Sequence, residues 1–503
     1  MRRWVMLILL GHMAQEYHAQ SGFNLRYDLL DSAWSQHPVG IERHPEGYLV
    51  FIQTYYEDSD QITPTRALML INDMGIRIWD RIYPEELTST YYGWANVADR
   101  TGDGGYVIGG TRDTIDRPAF VNLVRFSMDG DTLWTRSWGD DLHEWSGQQV
   151  KQTPDKGYII AGLTDVTGSV DALAIKTDSL GNEEWLETYG GPLWDGFVAV
   201  DLLPDSGFYF GGDKNITSNN IDFSVYRVDK NGGVLWHKVW GTGYDEPNAH
   251  LCSTSDGNCA VSGAIGHADD FSLTRPYIAK LDSADGSILW EHEYGGMAGS
   301  TGFFTVKECT NTDLIAAGSD YSVAYQRGLL LRATTDGDSL WMRTYYYQDT
   351  AITEGTGRFW DVIQTDDGGF IACGWALGQA GGNTPPGYSQ DTWVVKVDSM
   401  GCIVPGCDAT GVTEMITNLK DALTVWPNPA REQAQVGIAL PPALRGKSTL
   451  TLTVVNATGQ AVLSTAAREG NNTVPLGALS AGLYHVHLSA GNTWISGTKL
   501  MIE

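Results

Sequence analysis

The fold is decided by one stretch of sequence, Lys156-Gly-Tyr-Ile-Ile-Ala-Gly162, with the segments that follow it, Ala172-Leu-Ala-Ile-Lys176, Asp178-Ser-Leu-Gly181 and Trp185. The glycine turn precedes an aromatic and β-branched run, and the alternation of Ala172 to Lys176 has the period of two that is typical of a strand. Asp and Gly then supply the side-chain cap and the positive φ that a tight turn requires. A further strand, Gly147-Gln-Gln-Val-Lys-Gln152, precedes the first turn. One unit is therefore four strands in about fifty residues, the size of a propeller blade.

The unit recurs along the chain. A tryptophan follows the Asp-to-Gly turn at six positions, namely Trp79, Trp134, Trp185, Trp236, Trp290 and Trp341. The glycine-turn strand and the alternating strand each occur seven times, so one tryptophan strand is missing at the C-terminal end of the array. Phe23-Asn-Leu-Arg-Tyr27 has the aromatic spacing of Trp134-Thr-Arg-Ser-Trp138 and supplies the seventh copy. A strand displaced in this way closes a ring and removes both sheet edges. We therefore predict an all-β fold, a seven-bladed β-propeller of four-stranded blades over residues 22–408.

Charge and composition exclude some classes of protein. The chain of 503 residues carries 61 acidic and 33 basic residues, a net charge of −28. Such a surface repels phosphate backbones, which excludes nucleic acid as a partner. The N-terminus, with Met1-Arg2-Arg3, the apolar run Trp4 to Leu10 and Ala19, predicts a signal peptide over residues 1–19. No later run has the ~18 apolar residues of a transmembrane span, so none is predicted.

The six cysteines suit an oxidising compartment. No spacing matches a zinc site, and no metal is predicted. Cys402 and Cys407 are expected to close a small disulfide loop, and Cys252 and Cys259 flank a turn across which a second disulfide is predicted. Cys309 and Cys373 are interpreted as buried thiols.

The repeated spacing Gly-x-x-x-Trp, seen at Gly181 to Trp185, Gly232 to Trp236 and Gly286 to Trp290, resembles the tryptophan-docked blades of quinoprotein-like propellers. Quinoprotein dehydrogenases also need a calcium site and a tryptophan that stacks on the cofactor, and neither can be placed in this sequence. The resemblance therefore implies the fold and not the chemistry, and no cofactor is predicted.

After a linker over residues 409–422, the last 80 or so residues, 423–503, read as a small antiparallel, Ig-like β-sandwich. Four motifs in order resemble the type A C-terminal sorting domain of the type IX secretion system of Bacteroidetes: Val425-Trp-Pro427-Asn428-Pro429, Val455-Asn-Ala-Thr-Gly459-Gln460, Leu479-Ser-Ala-Gly-Leu-Tyr-His-Val486 with Gly482 and Tyr484, and Lys499-Leu-Met-Ile502. The resemblance implies a partner, the type IX secretion machinery. It also implies passage through the periplasm to the outer cell surface or the medium, with the product either released or linked to lipopolysaccharide.

No catalytic signature is present, since the nucleophile elbow, the zinc-protease motif and the phosphate loop are all missing. One group of residues remains after the repeat is accounted for. The segments that enter the first strands carry tryptophans, and the long segment from Trp375 to Asp391 opens on the same face. The candidate ligand-binding residues are Trp34, Trp94, Trp145, Trp194, Trp360, Trp375, Asp195 and Asp361. These tryptophans either contact a glycan or protein ligand or pack between blades.

Three functions are consistent with this sequence. The first is a non-catalytic binding or adhesion module, exported and held at the cell surface or secreted. The second is a secreted glycoside hydrolase or lyase with its site at the same channel mouth, which requires two carboxylates about 5–10 Å apart. The third is a structural surface protein whose mouth is filled by its own side chains.

Overall fold

The structure is a computed structural model that describes residues 22–29, 35–58, 61–84, 88–93, 95–114, 117–217, 220–246, 249–267, 273–295, 301–321, 325–347, 356–377, 390–403, 407, 423–440, 449–456, 461–490 and 493–503. The predicted signal peptide lies outside these ranges, as does the predicted linker. Within them the regular elements are β-strands, and no helix is long and apolar enough to cross a membrane.

The first strand in the chain, β1 (Phe23–Tyr27), precedes the first complete sheet and does not belong to it. The strands of the first three sheets follow in chain order: β2 His37–His44, β3 Gly47–Asp58, β4 Gln61–Ile71 and β5 Arg77–Tyr83; β6 Thr88–Tyr92, β7 Ala98–Arg100, β8 Tyr106–Thr114, β9 Arg117–Phe126 and β10 Thr132–Trp138; β11 Trp145–Gln152, β12 Tyr158–Thr164, β13 Asp171–Thr177 and β14 Glu183–Tyr189. In the second sheet β6 and β7 both pair with β8, so its first strand is divided in two.

Four further sheets complete this region. Their strands are β15 Asp195–Leu202, β16 Phe208–Thr217, β17 Asn220–Val228 and β18 Val234–Trp240; β19 His250–Ser253, β20 Cys259–Gly266, β21 Thr274–Leu281 and β22 Ile288–Glu293; β23 Gly302–Glu308, β24 Leu314–Asp320, β25 Arg327–Ala333 and β26 Ser339–Tyr345; and β27 Gly357–Gln364, β28 Phe370–Leu377 and β29 Gln390–Val397. The seventh sheet takes β1 as its fourth strand, because β1 pairs antiparallel with β29 from Phe23 opposite Lys396 to Tyr27 opposite Thr392.

The first strands of the seven sheets lie innermost. Each contacts the first strand of the next sheet, through β2, β7, β11, β15, β19, β23 and β27, and β27 contacts β2 again. The fourth strands lie outermost and are more exposed than the third strands: β22 exposes alternate residues, whereas β13 is buried at every residue. The sheets therefore stand side by side around a closed ring of contacts.

An apolar core fills each junction between neighbouring sheets. Seven clusters of buried side chains are found in the described part of this region, one for each junction, including the junction of the seventh sheet with the first. At that last junction Phe23 packs with Ile41, Val50 and Met69. The N-terminal strand therefore contributes to the core that joins the two ends of the array.

The repeated aromatic residues lie on the turns of the following sheet. The indole nitrogens of Trp185, Trp236, Trp290 and Trp341 donate to turn carbonyls of the next sheet at 2.9–3.2 Å. The hydroxyls of Tyr83, Tyr189, Tyr294 and Tyr345 donate to the carbonyls of the turn glycines Gly130, Gly232, Gly337 and Gly401. Tyr27 of β1 makes the equivalent bond to Gly75, at 2.6 Å. These contacts join each of these sheets to a turn of the next sheet, which is a structural role for the repeated aromatic residues.

We call the face that carries these turns, and the turns between first and second strands, the turn face. Six of the seven sheets have an ion pair there between an aspartate of the first turn and a basic residue of the third strand. The pairs are Asp103–Arg125, Asp155–Lys176, Asp205–Arg227, Asp256–Lys280, Asp313–Arg332 and Asp367–Lys396. The basic side chains are largely buried, so these charges are compensated within each sheet.

The C-terminal region forms two packed sheets. The three-stranded sheet has the order β30 Leu423–Trp426, β31 Gln433–Ile438, β34 Gly470–Pro475, and the four-stranded sheet has the order β33 Ala461–Ala467, β32 Leu450–Asn456, β35 Gly482–Ala490, β36 Thr493–Ile502. Buried residues from both sheets, among them Val436, Leu452, Val486 and Leu500, form one core. This is the arrangement of a β-sandwich.

One of the two predicted disulfides is present and the other is not. Cys402 and Cys407 are joined by a disulfide, whereas Cys252 and Cys259 are free and buried. The second predicted disulfide is wrong because Cys252 lies opposite Ala260 and Cys259 opposite Ser253. That one-residue offset directs the two side chains to opposite faces of the sheet.

Candidate functional site

The opposite side of the ring, where the first strands begin, is called the mouth face. Five first strands carry a β-bulge at the same position of the repeat, and a bulge turns the extra residue away from its normal direction. The bulged residues are Val39, Gln148, Val198, Phe304 and Trp360. Trp360 is therefore one of a set of equivalent positions in different sheets.

Trp360 belongs to an aromatic cluster near the start of β27, which we call the mouth cluster. It consists of Trp360, Trp375 of β28, the half-buried Phe304 of β23, Leu377, and Ala95 from the divided strand of the second sheet. The ring centroids of Phe304 and Trp360 are 4.6 Å apart. The cluster thus joins residues from the second, sixth and seventh sheets. The second sheet is not adjacent to either of the other two in the ring.

Arg358 lies over this cluster. It pairs with Trp375 across β27 and β28, and its guanidinium carbon is 5.7, 5.1 and 5.4 Å from the ring centroids of Phe304, Trp360 and Trp375. Aromatic faces attract a guanidinium through their quadrupoles, so the three rings stabilise its position. Burial lowers the pKa of Arg358, against the opposing effect of the Tyr321 hydroxyl.

An imidazole lies close enough to Arg358 to be influenced by its charge. His37, at the start of β2, has its pKa lowered by burial and further by Arg358, while a hydrogen bond with Gln390 opposes the shift. The backbone carbonyl of Gln390 accepts a hydrogen bond from the backbone nitrogen of Gln36 at 2.5 Å. The imidazole is therefore uncharged at neutral pH and offers one donor or acceptor nitrogen beside the guanidinium.

The predicted tryptophans occupy different positions of the repeat. Trp145 is the first residue of β11 and packs in the core between the second and third sheets, with 7% of its surface exposed. Trp194 precedes β15, is half-buried and lies against Gly196. Trp34 and Trp94 lie outside the described residues. Of the predicted tryptophans, the structure brings only Trp360 and Trp375 together within its described ranges.

The two aspartates that were predicted to bind a ligand both form ion pairs with lysines. Asp195 accepts from Lys214 at 2.6 Å and from the nitrogen of Gly191, and burial raises the pKa of its carboxyl. Asp361 pairs with Lys307 at 2.7 Å and accepts from the backbone nitrogen of Ile41 at 3.1 Å. The latter bond joins the seventh sheet to the first, so Asp361 contributes to ring closure.

Charged groups line the inner strands below the mouth cluster. Lys151 pairs with Asp99 at 3.4 Å, and Glu42 lies close enough to both to be influenced by their charges. Burial raises the pKa of Glu42 to about 7, although Lys307 and Lys151 oppose the shift. No group of three or more His, Cys, Asp or Glu side chains within the described ranges is arranged to hold a metal ion.

Arg358, His37 and Glu42 were missed in the sequence because none of them belongs to a motif. A signal was nevertheless present. Aligned on the bulge, Arg358 corresponds to His37, Ser146, Gly196 and Gly302, so a large cation stands where three of the other four bulged strands have a small residue.

The sorting-motif residues have structural partners in the sandwich. Asn428 donates to the carbonyl of Lys499 and accepts from the nitrogen of Met501, both at 2.8 Å, and so joins the first motif to the last. Pro427 and Pro429 flank it, each preceded by a cis peptide bond. Gly482 opens β35, and the Tyr484 hydroxyl donates to the carbonyl of Ser480. Gly459 lies outside the described residues.

Comparison with known proteins identifies the C-terminal region. Residues 424–503 match the family model described as the secretion system C-terminal sorting domain. A C-terminal sorting domain of the type IX secretion system is thus present, and it directs export to the cell surface or the extracellular space. No curated protein matches the chain.

Solved structures resemble the seven-sheet region at low identity. One is quinohemoprotein alcohol dehydrogenase from Comamonas testosteroni, at 10% identity, 76% of each chain and a TM-score of 0.39. Another is YCF48 bound to D1 peptide, at 13% identity, 76% of this chain, 99% of that one and a TM-score of 0.37. A third is Sqt1 from Chaetomium thermophilum, at 14% identity, 73% of this chain, 88% of that one and a TM-score of 0.39.

Proposed function

We propose that this protein is an exported binding module, in which a seven-bladed propeller over residues 22–408 presents a ligand site on its mouth face without catalysis. The signal peptide over residues 1–19 takes the chain into the periplasm, and the domain over 423–503, joined by the linker 409–422, takes it to the cell surface or the medium. The partners are the type IX secretion machinery and a glycan or protein ligand. The ring of inner-strand contacts and the seven junction cores support the blade count.

The observation that carries the binding role is the mouth cluster with Arg358. Elsewhere the repeat places the same kinds of contact in sheet after sheet, which is what a scaffold requires. Here, three aromatic rings and hydrogen-bonding side chains surround a guanidinium at a position where three other sheets have a small residue. Apolar walls with a few convergent polar groups are typical of ligand sites.

The engagement of the carboxylates favours binding over hydrolysis. A glycosidase needs two carboxyl groups that face the substrate, one as acid and one as base or nucleophile. Asp195 and Asp361 are instead paired with lysines and bonded to backbone nitrogens. A purely structural role is the second candidate, favoured by the low exposure of Trp360 and Trp375, 7% and 6%.

Binding is tested with the mature chain, residues 20–503, on arrays of glycans and proteins. We expect a defined set of ligands, and we expect Trp360→Ala to abolish their binding while the circular dichroism spectrum is retained. Trp145→Ala is the matched control, because Trp145 is equally buried but lies at another junction. Loss of binding in both folded variants would instead support a ligand site made by all the predicted tryptophans. Absence of any ligand would favour the structural role.

Export is tested separately in a host that has the type IX machinery. A chain that ends at residue 422 is expected to accumulate in the periplasm. Asn428→Ala is expected to reduce surface delivery, because it removes the hydrogen bonds between the first sorting motif and the last strand. Cell fractionation measures both. Surface delivery of the truncated chain would contradict the assigned role of the domain.

A further inference from the structure

Resting on the proposed binding function, we infer that Arg358 recognises an oxyanion, a carboxylate or a sulfate group, on an acidic oligosaccharide bound at the mouth face. The proposed function leaves the ligand class open, and the surroundings of this one guanidinium restrict it.

Arg358 has no acidic partner among the residues that the structure describes. Burial lowers the pKa of its guanidinium, and the Tyr321 hydroxyl opposes that shift. Its Nε has no hydrogen-bond acceptor in those ranges. The buried arginines of the turn face differ, since Arg227 pairs with Asp205 and Arg332 with Asp313. In a chain with 61 acidic and 33 basic residues, a largely buried cation without a carboxylate is a departure that needs a physical reason.

The cost of this arrangement is removed by an external anion. A charge taken out of water without a partner destabilises the fold, and a charge-assisted hydrogen bond to a ligand restores the lost interaction. The rings of Phe304, Trp360 and Trp375 surround the guanidinium but accept no hydrogen bonds in its plane, so its Nε–H, which has no acceptor in the described residues, is a donor for the ligand. The two oxygens of a carboxylate, or two of those of a sulfate, accept two such bonds at once from the guanidinium fork.

The neighbouring groups indicate what carries the anion. His37, Gln390 and the Tyr321 hydroxyl are hydrogen-bonding groups, which suit the hydroxyls of a sugar, and the half-buried ring of Phe304 suits its apolar face. The net charge of −28 opposes the approach of a long polyanion. A short oligosaccharide with one or two acidic groups fits both conditions.

The experiment uses the mature chain and isothermal titration calorimetry. The probes are a uronic-acid oligosaccharide, a sulfated oligosaccharide and a neutral oligosaccharide of the same length. We expect at least one acidic probe to bind at least about tenfold more tightly than the neutral one, and Arg358→Gln to abolish that preference. Arg358→Lys should restore part of it, because an ammonium forms a single point contact. Arg332→Gln is the matched control and should leave the preference intact.

The outcomes separate this inference from the proposed function. Binding of neutral oligosaccharides that is unaffected by Arg358→Gln would overturn the inference and leave the binding role in place. Binding of an acidic peptide or protein on the protein array, without binding of any of the three oligosaccharides, would overturn the oligosaccharide class. Absence of binding on every array and to every probe would overturn both.

A measurement without any ligand provides a second test. Arg358→Met removes an uncompensated charge from an aromatic environment, so the thermal midpoint of unfolding should stay the same or rise. Arg332→Met breaks an ion pair and a hydrogen bond to the carbonyl of Ser399, so the midpoint should fall. A comparable fall in both variants would show that Arg358 serves the fold, and would overturn the inference.

Discussion

The turn face and the mouth face of the seven-sheet region are built in different ways. On the turn face an ion pair of the same type recurs in six sheets, and glycine turns receive aromatic residues from the preceding sheet at every junction. On the mouth face, equivalent positions hold different side chains, and the bulged residues alone range from Val39 to Trp360. Both faces belong to the same strands, so the difference does not come from the backbone.

In a repeated fold, a binding site is expected where the contacts differ from one unit to the next. Contacts that recur in every unit are explained by what each unit needs from its neighbours. Arg358 and the mouth cluster, which joins residues of the second, sixth and seventh sheets, have no counterpart at the other described junctions, and no junction core requires a cation there. This departure from the repeat is therefore the most informative part of the mouth face.

The largest expected effect comes from removing β1, residues 22–29. The deletion removes Phe23 from the core of the closing junction, and it leaves the indole of Trp393 without the side chain of Asn24, its acceptor at 2.6 Å. It also exposes the edge of β29. We expect loss of the cooperative thermal transition and aggregation on size-exclusion chromatography. A monomeric variant with an unchanged midpoint would contradict the closure by β1.

The second largest effect is expected where an aromatic residue packs against a turn glycine on the turn face. A Cβ at Gly337 would lie 2.7 Å from Trp290 Cζ3, whereas a Cβ at Gly257, which has the same positive φ, meets nothing within 4 Å. Gly257→Ala should cost about 1–2 kcal/mol through backbone strain alone. Gly337→Ala should cost about 2–5 kcal/mol, because overpacking is added. Urea unfolding measures both, and equal losses would rule out docking as a stabilising contact.

The smallest effect concerns His250, at the start of β19. Burial lowers its pKa to about 4, and its Nε2 has no hydrogen-bond partner among the described residues. The unfolded chain binds the proton more readily, so stability should be lost as the pH falls from about 6.5 towards 4, by up to about 3 kcal/mol. His250→Gln should flatten this dependence, measured by urea unfolding at several pH values. An unchanged slope would mean that His250 stays neutral in both states.

Much of the seven-sheet region could be predicted because its signals are local. The alternation in Ala172 to Lys176 and the turn from Asp178 to Gly181 lie within ten residues of each other, and they correspond to β13 and its turn. The position of Phe23 to Tyr27 followed from counting strands, and its pairing with β29 agrees with that count. The failed prediction, a bond between Cys252 and Cys259, depended on register, which the spacing of two cysteines does not determine.

The candidate site could be predicted only in part. Trp360 and Trp375 were expected at the mouth, but nothing in the sequence placed Phe304 or Ala95 beside them. The predicted ring of tryptophans treated Trp145, Trp194 and Trp360 as equivalent. The bulges show that they stand at three different positions of the repeat.

By itself, the sequence determined the repeated strand unit, the closure by β1 and the sorting domain, because each depends on a pattern of neighbouring residues that recurs or matches as a whole. Only the tertiary structure decided that Asp195 and Asp361 form ion pairs with lysines. It also decided that Arg358 forms no ion pair with a described carboxylate. Charge compensation depends on side chains from different strands and sheets, and their distances exist only once the ring has closed.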